Sequence, residues 1–341
     1  VNNEGVVMLQ NKDNFLPLSI PDGEYKVVIV GAWQTNMYLG LYSANASNTT
    51  KQVNIQKGIS DAIKAKNPNA SFTYITSDSV SESNRAAIEA ADLCVVVGGA
   101  NNQYSAEDRD RNSIAMNNNQ ATMFNQVGQW NPNTVAVMEY CGPVETYTFA
   151  GNVKAILWSS FGGLRKGVGF GNILVGNVNP SGKLTATWFH STSSLPDKLN
   201  YDLYPSGNTA GRTYMFYKGD AVDYPFGYGL SFTTYEYSNL KIDKTAYDAN
   251  DTVKVSFDVK NTGSVAGKEI TQLYIAQPNA TAANRPIRRL EGFDKIELQP
   301  GEKKTVSMEV KIPDLAYYNE ADDCYSVDTG AYQVQDRKSV V

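Results

Sequence analysis

The sequence predicts an α/β sandwich with a mostly parallel sheet, followed by an all-β sandwich. In the first half of the 341 residues, short runs rich in Val and Ile alternate with segments whose apolar residues have a helical spacing. In the second half, short segments alternate apolar and polar residues and are separated by turn residues. The length itself suits two domains, at about 100–200 residues each.

The first half of the chain contains five predicted strands and four predicted helices. We expect strands over 24–32, 71–76, 92–99, 134–140 and 153–160, and helices over 52–68, 81–91, 119–130 and 163–176, the last interrupted by glycines. Apolar strands separated by helices indicate a mostly parallel sheet that is covered on both sides. The opening segment VNNEGVVMLQNKDNFLPL favours a helix already under way, and we interpret its first residue as a cut end.

The character of the chain changes after residue 195. Residues 196–231 are rich in Pro, Gly and Tyr and have no helical period, which predicts an extended linker. We expect the linker to pack on the protein surface, because so many aromatic side chains would not be left in water. Residues 232–341 have strands at a spacing typical of a sandwich of the immunoglobulin or fibronectin III kind. The predicted domains are therefore 1–195 and 232–341.

Composition argues against several classes of function. The net charge is −5 and no long basic tract is present, so we expect no nucleic-acid partner. No apolar stretch reaches the roughly 18 residues that a membrane span requires. The three cysteines form no CxxC or Cys/His cluster, and no nucleotide-binding glycine motif follows a strand, so we expect neither a metal nor another cofactor.

The cysteines, the single histidine and the Asn-X-Ser/Thr sequences need no catalytic role to explain them. Cys94 and Cys141 lie in or near apolar runs and are predicted to be small core residues. His190 is the only histidine, which excludes a mechanism that needs two, and we interpret it as structural. Four Asn-X-Ser/Thr sequences, at Asn45, Asn48, Asn69 and Asn279, match the N-glycosylation pattern or arise by chance in a chain rich in Asn and Ser. We expect a secreted or periplasmic location in preference to a cytoplasmic one.

One charged loop stands out against this background. The segment DLCVVVGGANNQYSAEDRDRNSI, residues 92–114, ends a buried strand and then places five charges in a row, from Glu107 to Arg111. A run of alternating charges in a loop is most often a solvated surface. In a mostly parallel sheet, however, ligands bind at loops that follow the carboxyl ends of strands, and this loop lies at such an end.

Seven segments resemble the C-terminal portion of glycoside hydrolase family 3, the β-glucosidase and β-xylosidase group. The resemblance covers nearly the whole chain, and the combination of NPSGKL with YPFGYGLS is specific. The segments, in the family's order, are NEGVVMLQNKDNFLPL (3–18), NPNTVAVMEYCGPVE (131–145), NVKAILWSSFGG (152–163), GNVNPSGKLTATW (176–188), GRTYMFY (211–217), YPFGYGLSFTTYEYSNL (224–240) and LEGFDKIELQPGEKKTV (290–306).

The resemblance implies a three-part enzyme of which this chain holds two parts. Family members carry a (β/α)8-type barrel, an α/β sandwich and a fibronectin III-like domain. The chain matches the last two, and the nucleophilic Asp of the family belongs to the barrel. The barrel could lie upstream, downstream or on a separate chain. The implied substrate is a β-linked oligosaccharide or glycoside, with terminal glucose as the family's default, and the chain alone is expected to be inactive.

The resemblance also assigns a role to the charged loop. Retaining glycosidases use two carboxyl groups about 5–5.5 Å apart, and in this family the acid/base usually comes from a sandwich loop with the pattern Glu, two residues, Asp-Arg. Glu107 fits that pattern, with Asp108 as the second choice in place of a frequent glycine. A register shift of two would select Ser105, which is a poor proton donor. Asp110 and Arg111 are expected to pair with each other or with the neighbouring strand and so support the loop.

Three aromatic residues are candidates for contacts with a sugar. Trp33, Tyr38 and Tyr42 follow the first predicted strand and are candidates to stack on a sugar, although core or interface packing explains each equally well. Arg212 is expected to be fixed by an ion pair or by hydrogen bonds to backbone. The first hypothesis is part of an exo-acting retaining β-glycosidase. The alternative is a non-catalytic carbohydrate-binding or scaffolding module.

Overall fold

The computed structural model describes residues 2–40, 42–43, 51–207, 209–279, 282 and 284–336. Contacts between Cα atoms divide the chain into two units. The first unit comprises residues 1–195 together with 221–232, and the second comprises residues 196–220 together with 233–341. The segment predicted as a linker, 196–231, is therefore shared between the units, with its last eleven residues in the first.

The first unit is built on a six-stranded sheet with the order β1-β6-β5-β4-β2-β3. Strands β2 to β6 run parallel to their neighbours, and β1 pairs antiparallel with β6 at one edge. The strands of this unit are β1 Val7–Asn11, β2 Tyr25–Val30, β3 Ala70–Ile75, β4 Leu93–Gly99, β5 Thr134–Glu139, β6 Ala155–Ser159, and the short pair β7 Trp188–Phe189 and β8 Val222–Tyr224. The mostly parallel sheet predicted from the sequence is confirmed.

Both faces of this sheet are buried, because successive side chains of a strand point to opposite sides. In β2, Val27 and Ile29 enter one apolar cluster, and Val28 and Val30 enter the other. The same alternation continues in β4, where all seven residues are buried. This double burial explains why the strands appear in the sequence as unbroken apolar runs.

Helices cover the two faces. The helices of the first unit are α1 Asn2–Gly5, α2 Ile55–Lys66, α3 Glu82–Glu89, α4 Gln120–Trp130, α5 Tyr147–Ala150 and α6 Lys166–Leu174. Helices α2 and α6 bury their apolar residues in one cluster, and α3, α4 and α5 bury theirs in the other. Helix α2 begins where Asn54 caps it, with its side-chain oxygen accepting from the Lys57 amide at 2.8 Å.

The prediction of a helix through the opening segment is wrong. Helix α1 ends at Gly5, and the chain then forms strand β1 against β6. Residues Val6, Val7, Met8 and Leu9 are all at most 2% exposed. Consecutive burial of this kind requires partners on both sides of the segment, and an edge strand of a covered sheet supplies them, whereas a surface helix does not.

The second unit contains two three-stranded antiparallel sheets, with the orders β13-β10-β9 and β12-β11-β16. Its core holds Phe257, Val259, Leu273 and Leu298, each fully buried. The elements of this unit are helix α7 Thr213–Phe216 and strands β9 Tyr235–Ile242, β10 Thr252–Asn261, β11 Gly267–Ala276, β12 Arg289–Leu298, β13 Lys303–Lys311, β14 Tyr317–Asn319, β15 Cys324–Ser326 and β16 Gln333–Asp336. The two sheets agree with the fibronectin III-like sandwich expected from the alternating pattern.

The segment 196–220 is ordered by one arginine but leaves apolar side chains in water. Arg212 donates from Nη2 to the carbonyl oxygens of Asp197 and Asn200, the first at 2.7 Å, as the sequence led us to expect. Leu199 is 71% exposed and Tyr201 is 83% exposed. The expectation that the aromatic residues of this segment would be covered is therefore wrong for Tyr201.

Candidate active site

The two candidate carboxyl groups lie at the tip of a tight turn in the loop after β4. The turn runs from Ala106 to Arg109 and is closed by two backbone hydrogen bonds of 3.3 and 3.1 Å between these residues. Glu107 and Asp108 occupy its two central positions, and both are exposed. A turn closed in this way presents both carboxylates to the outside of the unit.

Arg111, which follows the turn, connects the rising limb of the loop, residues 100–105, to a neighbouring segment. Its Nη1 atom donates to the carbonyl oxygen of Pro143 at 2.8 Å, in the segment after β5, and its guanidinium lies 5.5 Å from the centre of the Tyr104 ring. Tyr104 donates to the carbonyl oxygen of Ala115, and its burial raises the pKa of the phenol. Asp110 is exposed, and no ion pair joins it to Arg111 among the described residues.

The returning limb of the loop, residues 110–116, is held by Thr192 and Glu145. The Ile114 amide donates to Thr192 Oγ1 at 3.0 Å, and the Glu145 amide donates to the Ile114 carbonyl at 2.9 Å. The Glu145 carboxylate in turn accepts from the Thr192 amide at 2.8 Å and from its hydroxyl at 2.9 Å. Both limbs are thus fixed to neighbouring segments, although the tip carries exposed charges.

The base of the loop is closed by Gln120, a residue that the sequence analysis missed. Its side-chain amide accepts from the Gly99 amide and donates to the Gly99 carbonyl, each at 3.0 Å, so the end of β4 is tied to the start of α4. Gln120 also donates to Asp78 Oδ2 at 3.1 Å, and Asp78 Oδ1 accepts from the Ala32 amide at 2.9 Å. A lone Gln after an Asn-rich loop gives no sequence signal for this role.

A buried ion pair, also missed in the sequence, lies at the same edge of the sheet. Lys166 Nζ contacts Glu139 Oε2 at 2.7 Å, and both side chains are fully buried. Glu139 is the last residue of β5, and it also accepts from Trp33 Nε1 at 2.8 Å and from the Gly162 amide at 3.1 Å. Burial lowers the pKa of Lys166, and the nearby carboxylate of Glu139 opposes that shift.

The three aromatic candidates have different surroundings. Trp33 is 7% exposed, and its indole N–H is already used by Glu139. The ring of Tyr38 packs edge-on against Phe161 at 4.9 Å, and its carbonyl oxygen accepts from Lys166 Nζ at 2.7 Å. Tyr42 is 81% exposed and is flanked by residues 41 and 44–50, which lie outside the described residues. Stacking of these rings on a sugar stays a prediction.

The remaining versatile side chains are spread through the chain. Cys94 is buried, whereas Cys141 is exposed, so the core placement predicted for Cys141 is wrong. The reason is that Cys141 follows the end of β5, where the chain leaves the sheet, and its Sγ lies 2.9 Å from Ser105 Oγ.

Across the described residues, no group of three or more His, Cys, Asp and Glu side chains is arranged to hold a metal ion, and no helix is sufficiently long and apolar to cross a bilayer.

The chain matches two family models. Residues 6–232 match the glycosyl hydrolase family 3 C-terminal domain, and residues 269–339 match a fibronectin type III-like domain. The first match covers more than half of the chain and ends where the first unit ends.

Relatives agree with these matches. The chain is 31% identical to the thermostable β-glucosidase B of Acetivibrio thermocellus, over 97% of this chain and 45% of the relative. It is 30% identical to a β-xylosidase of Formosa agariphila, over 93% of this chain and 44% of the relative. The chain therefore spans about half the length of the curated relatives it matches.

Solved structures support the same assignment. The family 3 β-glucosidase of Bifidobacterium adolescentis has a TM-score of 0.82 and 26% identity, covering 99% of this chain and 51% of that structure. The β-D-glucoside glucohydrolase of Trichoderma reesei, at 24% identity, shares the fold with a TM-score of 0.82, covering 100% of this chain and 53% of that structure. From the family-model match and the relatives, the chain belongs to glycosyl hydrolase family 3, whose C-terminal domain it carries together with a fibronectin type III-like domain.

Proposed function

We propose that the chain is part of an exo-acting retaining β-glycosidase, a β-glucosidase in particular, and that Glu107 is its general acid/base. The substrate is a glycoside or oligosaccharide with a terminal, non-reducing β-D-glucosyl residue. The observation that carries the proposal is the exposed turn that places Glu107 at the carboxyl edge of the sheet, in a chain of this family. The curated relatives named above are a β-glucosidase and a β-xylosidase, which supports the substrate class.

The turn supplies one of the two carboxyl groups that a retaining mechanism needs. The second, an Asp nucleophile, would come from a (β/α)8-type barrel domain, whether on the same or a separate chain. The two groups must stand about 5–5.5 Å apart, so Glu107 has to be reachable from outside its own unit. Its exposure meets that requirement. Anchoring by Arg111, Thr192 and Glu145 limits the motion of the loop and so the entropy lost when it docks.

Glu107 would act twice in each turnover. It first donates its proton to the leaving glycosidic oxygen while the nucleophile attacks the anomeric carbon. It then accepts a proton from the water that hydrolyses the glycosyl-enzyme. Enclosure of the carboxyl group by a second domain removes water and favours the protonated acid that the first step needs.

The test compares Glu107→Gln with Asp108→Asn in the complete enzyme. The Gln variant should lower kcat for natural disaccharides by about 10²–10⁴-fold, the usual contribution of general acid–base catalysis. Activated aryl glycosides should still glycosylate the enzyme, because their leaving groups need no proton, and added azide should restore turnover by replacing water as the acceptor.

The adjacent carboxylate is the matched control in this test. Asp108→Asn removes a charge from the same exposed turn, so it separates the role of the acid from a general change in loop charge. Loss of turnover only in the Asp108 variant would move the assignment by one residue. Unchanged turnover in both variants would contradict the proposal and favour the non-catalytic carbohydrate-binding or scaffolding module.

We further propose a secreted or periplasmic location for the protein. Asn69 and Asn279, in two of the four N-glycosylation sequences, are exposed, whereas Asn45 and Asn48 lie outside the described residues. Fractionation of the native host, with detection of the chain by antibody, tests this location. Recovery of the protein only in the cytoplasmic fraction would contradict it.

A further inference from the structure

Two aromatic rings are stacked on the surface of the first unit, away from any role described above. The rings of Tyr147 and His190 lie 4.2 Å apart between centroids, with an angle of 30° between their planes. Tyr147 is 47% exposed, and the His190 side chain is 49% exposed. A stack of this kind is a preformed flat apolar surface that remains open to a ligand.

A carboxylate holds the histidine of this stack in place. His190 Nδ1 lies 2.9 Å from Asp223 Oδ1, and the His190 amide donates to the Ala221 carbonyl at 3.0 Å. The other carboxylate oxygen, Asp223 Oδ2, accepts from Thr146 Oγ1 at 3.5 Å, and the side chain as a whole is 22% exposed. A carboxylate at Nδ1 favours the tautomer with the proton on that nitrogen, which makes Nε2 a hydrogen-bond acceptor in the neutral ring.

The same segments hold the returning limb of the charged loop. Thr192, two residues after His190, accepts from the Ile114 amide. Glu145, two residues before Tyr147, accepts from Thr192 and donates its amide to the Ile114 carbonyl. The stacked rings and the loop that carries Glu107 are therefore built on one hydrogen-bonded base.

We propose that Tyr147, His190 and Asp223 form a saccharide-binding platform for the leaving-group side of a β-linked oligosaccharide. A pyranose ring has an apolar face of C–H groups, which suits an aromatic surface, and equatorial hydroxyls, which suit a carboxylate and an imidazole acceptor. A few polar groups beside an apolar surface are the usual composition of a small-ligand site. The inference rests on the proposed function, because the charged loop identifies which part of the oligosaccharide would lie here.

The chain offers a matched control for an exposed stacked tyrosine. Tyr74 is 41% exposed and is stacked with Phe72 at 6.1 Å and 15°, on the edge strand β3. In this second stack the ring that packs on Tyr74 is that of Phe72, and the Tyr74 hydroxyl lies 3.1 Å from the hydroxyl oxygen of Ser60. It therefore matches the platform in aromatic exposure but pairs its tyrosine with Phe72 and Ser60 in place of His190.

The experiment titrates the chain with laminaribiose and with cellobiose, using saturation-transfer NMR and calorimetry. We expect binding in the millimolar range that Tyr147→Ala weakens by about tenfold, the equivalent of one aromatic contact. Tyr147→Phe should keep binding, because it keeps the ring, and His190→Ala should weaken it. Tyr74→Ala should leave it unchanged, and circular dichroism of each variant checks that the fold is retained.

The outcomes separate this platform from the acid/base assignment. No binding to the wild-type chain, or binding that Tyr147→Ala and His190→Ala leave unchanged, overturns the platform. Neither result affects the turnover test of Glu107→Gln in the complete enzyme. The turnover test therefore addresses the proposed function, and the titration of the Tyr147, His190 and Tyr74 variants addresses the platform, so that failure of one is distinguishable from failure of the other.

Discussion

Lys166 and Glu139 show what a buried charge requires of its surroundings. Taking two charges out of water is costly, and the cost is offset only if the remaining donors and acceptors are satisfied. Lys166 donates to Glu139 and to the Tyr38 carbonyl, and Glu139 accepts from Lys166, Trp33 and Gly162. These contacts join the end of β5 to the segments that follow β2 and β6, at one edge of the sheet.

Removal of one partner should destabilise the first unit strongly. Lys166→Met leaves the buried Glu139 carboxylate without its cation and should cost about 3–5 kcal/mol of unfolding free energy. The double variant Lys166→Met/Glu139→Gln should recover part of that loss, because it removes the unpaired charge. Urea unfolding followed by tryptophan fluorescence measures both effects.

The control for this prediction is an exposed ion pair. Lys57 and Asp61 form an i,i+4 pair at 2.8 Å with both side chains more than half exposed. Lys57→Met should therefore change stability by less than about 1 kcal/mol. Equal losses of stability in the Lys57 and Lys166 variants would show that burial does not determine the contribution of the Lys166–Glu139 pair.

Asp258 carries the clearest pH dependence in the second unit. Its carboxylate accepts from Thr305 Oγ1 at 2.6 Å, from Asn239 Nδ2 at 2.8 Å and from Lys303 Nζ at 2.9 Å. These hydrogen bonds, that of Thr305 foremost, hold the pKa of Asp258 well below its usual value of 3.8. The folded protein therefore stabilises the Asp258 carboxylate relative to its protonated form more than the unfolded chain does.

The stability from Asp258 should vanish in acid. Because the folded pKa is the lower one, the contribution is complete above the unfolded pKa of about 3.8 and is lost as pH falls from there towards the folded pKa. Asp258→Asn should destabilise the β10–β13 region by about 1–2 kcal/mol near neutral pH and by less in strong acid. Amide hydrogen exchange of β10 in the variant and the wild type measures this difference. A difference that grows as pH falls below 4 would have the wrong sign.

At the scale of elements, the close crossing of α2 and α6 explains why glycines lie at the contact, one in α2 and two in α6. A Cβ atom at Gly58 would lie 2.1 Å from the carbonyl carbon and oxygen of Gly167. A Cβ atom at Gly167 would lie 1.8 Å from the Asn54 carbonyl oxygen, and one at Gly171 would lie 2.3 Å from the Gly58 carbonyl oxygen. The two backbones touch directly, and only glycine permits that approach.

Alanine at the crossing should separate the helices. Gly167→Ala should lower the free energy of unfolding by about 1–3 kcal/mol, because the added Cβ meets backbone and no rotamer change can relieve that contact. Gly151→Ala is the control, since its added Cβ meets nothing within 4 Å and its φ of −59° is helical. Thermal unfolding should show a lower Tm only for the crossing variant, and a Tm equal to that of wild type would contradict the close approach.

At the scale of the whole molecule, the proposed chemistry needs a group from outside this chain. The chain spans about half the length of the relatives it matches, and our proposal assigns to Glu107 one of the two carboxyl groups of a retaining mechanism. We therefore expect the isolated chain to hydrolyse no aryl β-glucoside, because the proposed mechanism takes its Asp nucleophile from a separate barrel domain. A chromogenic assay with an inactive Glu107→Gln chain as the blank measures this, and activity above that blank would refute the two-carboxylate account.

The parts of the fold that depend on local pattern were predictable from the sequence. The parallel strands carry continuous apolar runs because they are buried on both faces, and their boundaries agree to within about two residues. The α/β and all-β halves follow from the change of period in the chain. Strand β1 was missed because its pairing with β6 joins residues far apart in sequence, which no local pattern records.

The candidate site also has features that the sequence determines and features that only the folded structure determines. The charges of the 107–111 loop and its position after a strand were set by the sequence, and the exposure of Glu107 and Asp108 is a property of the folded turn. Only the tertiary structure decided that Glu139 and Lys166 meet in the interior, that Gln120 closes the loop, and that Tyr147 stacks on His190. Each of these contacts joins residues from different elements, and their energy comes from burial and geometry that exist only once the chain has folded.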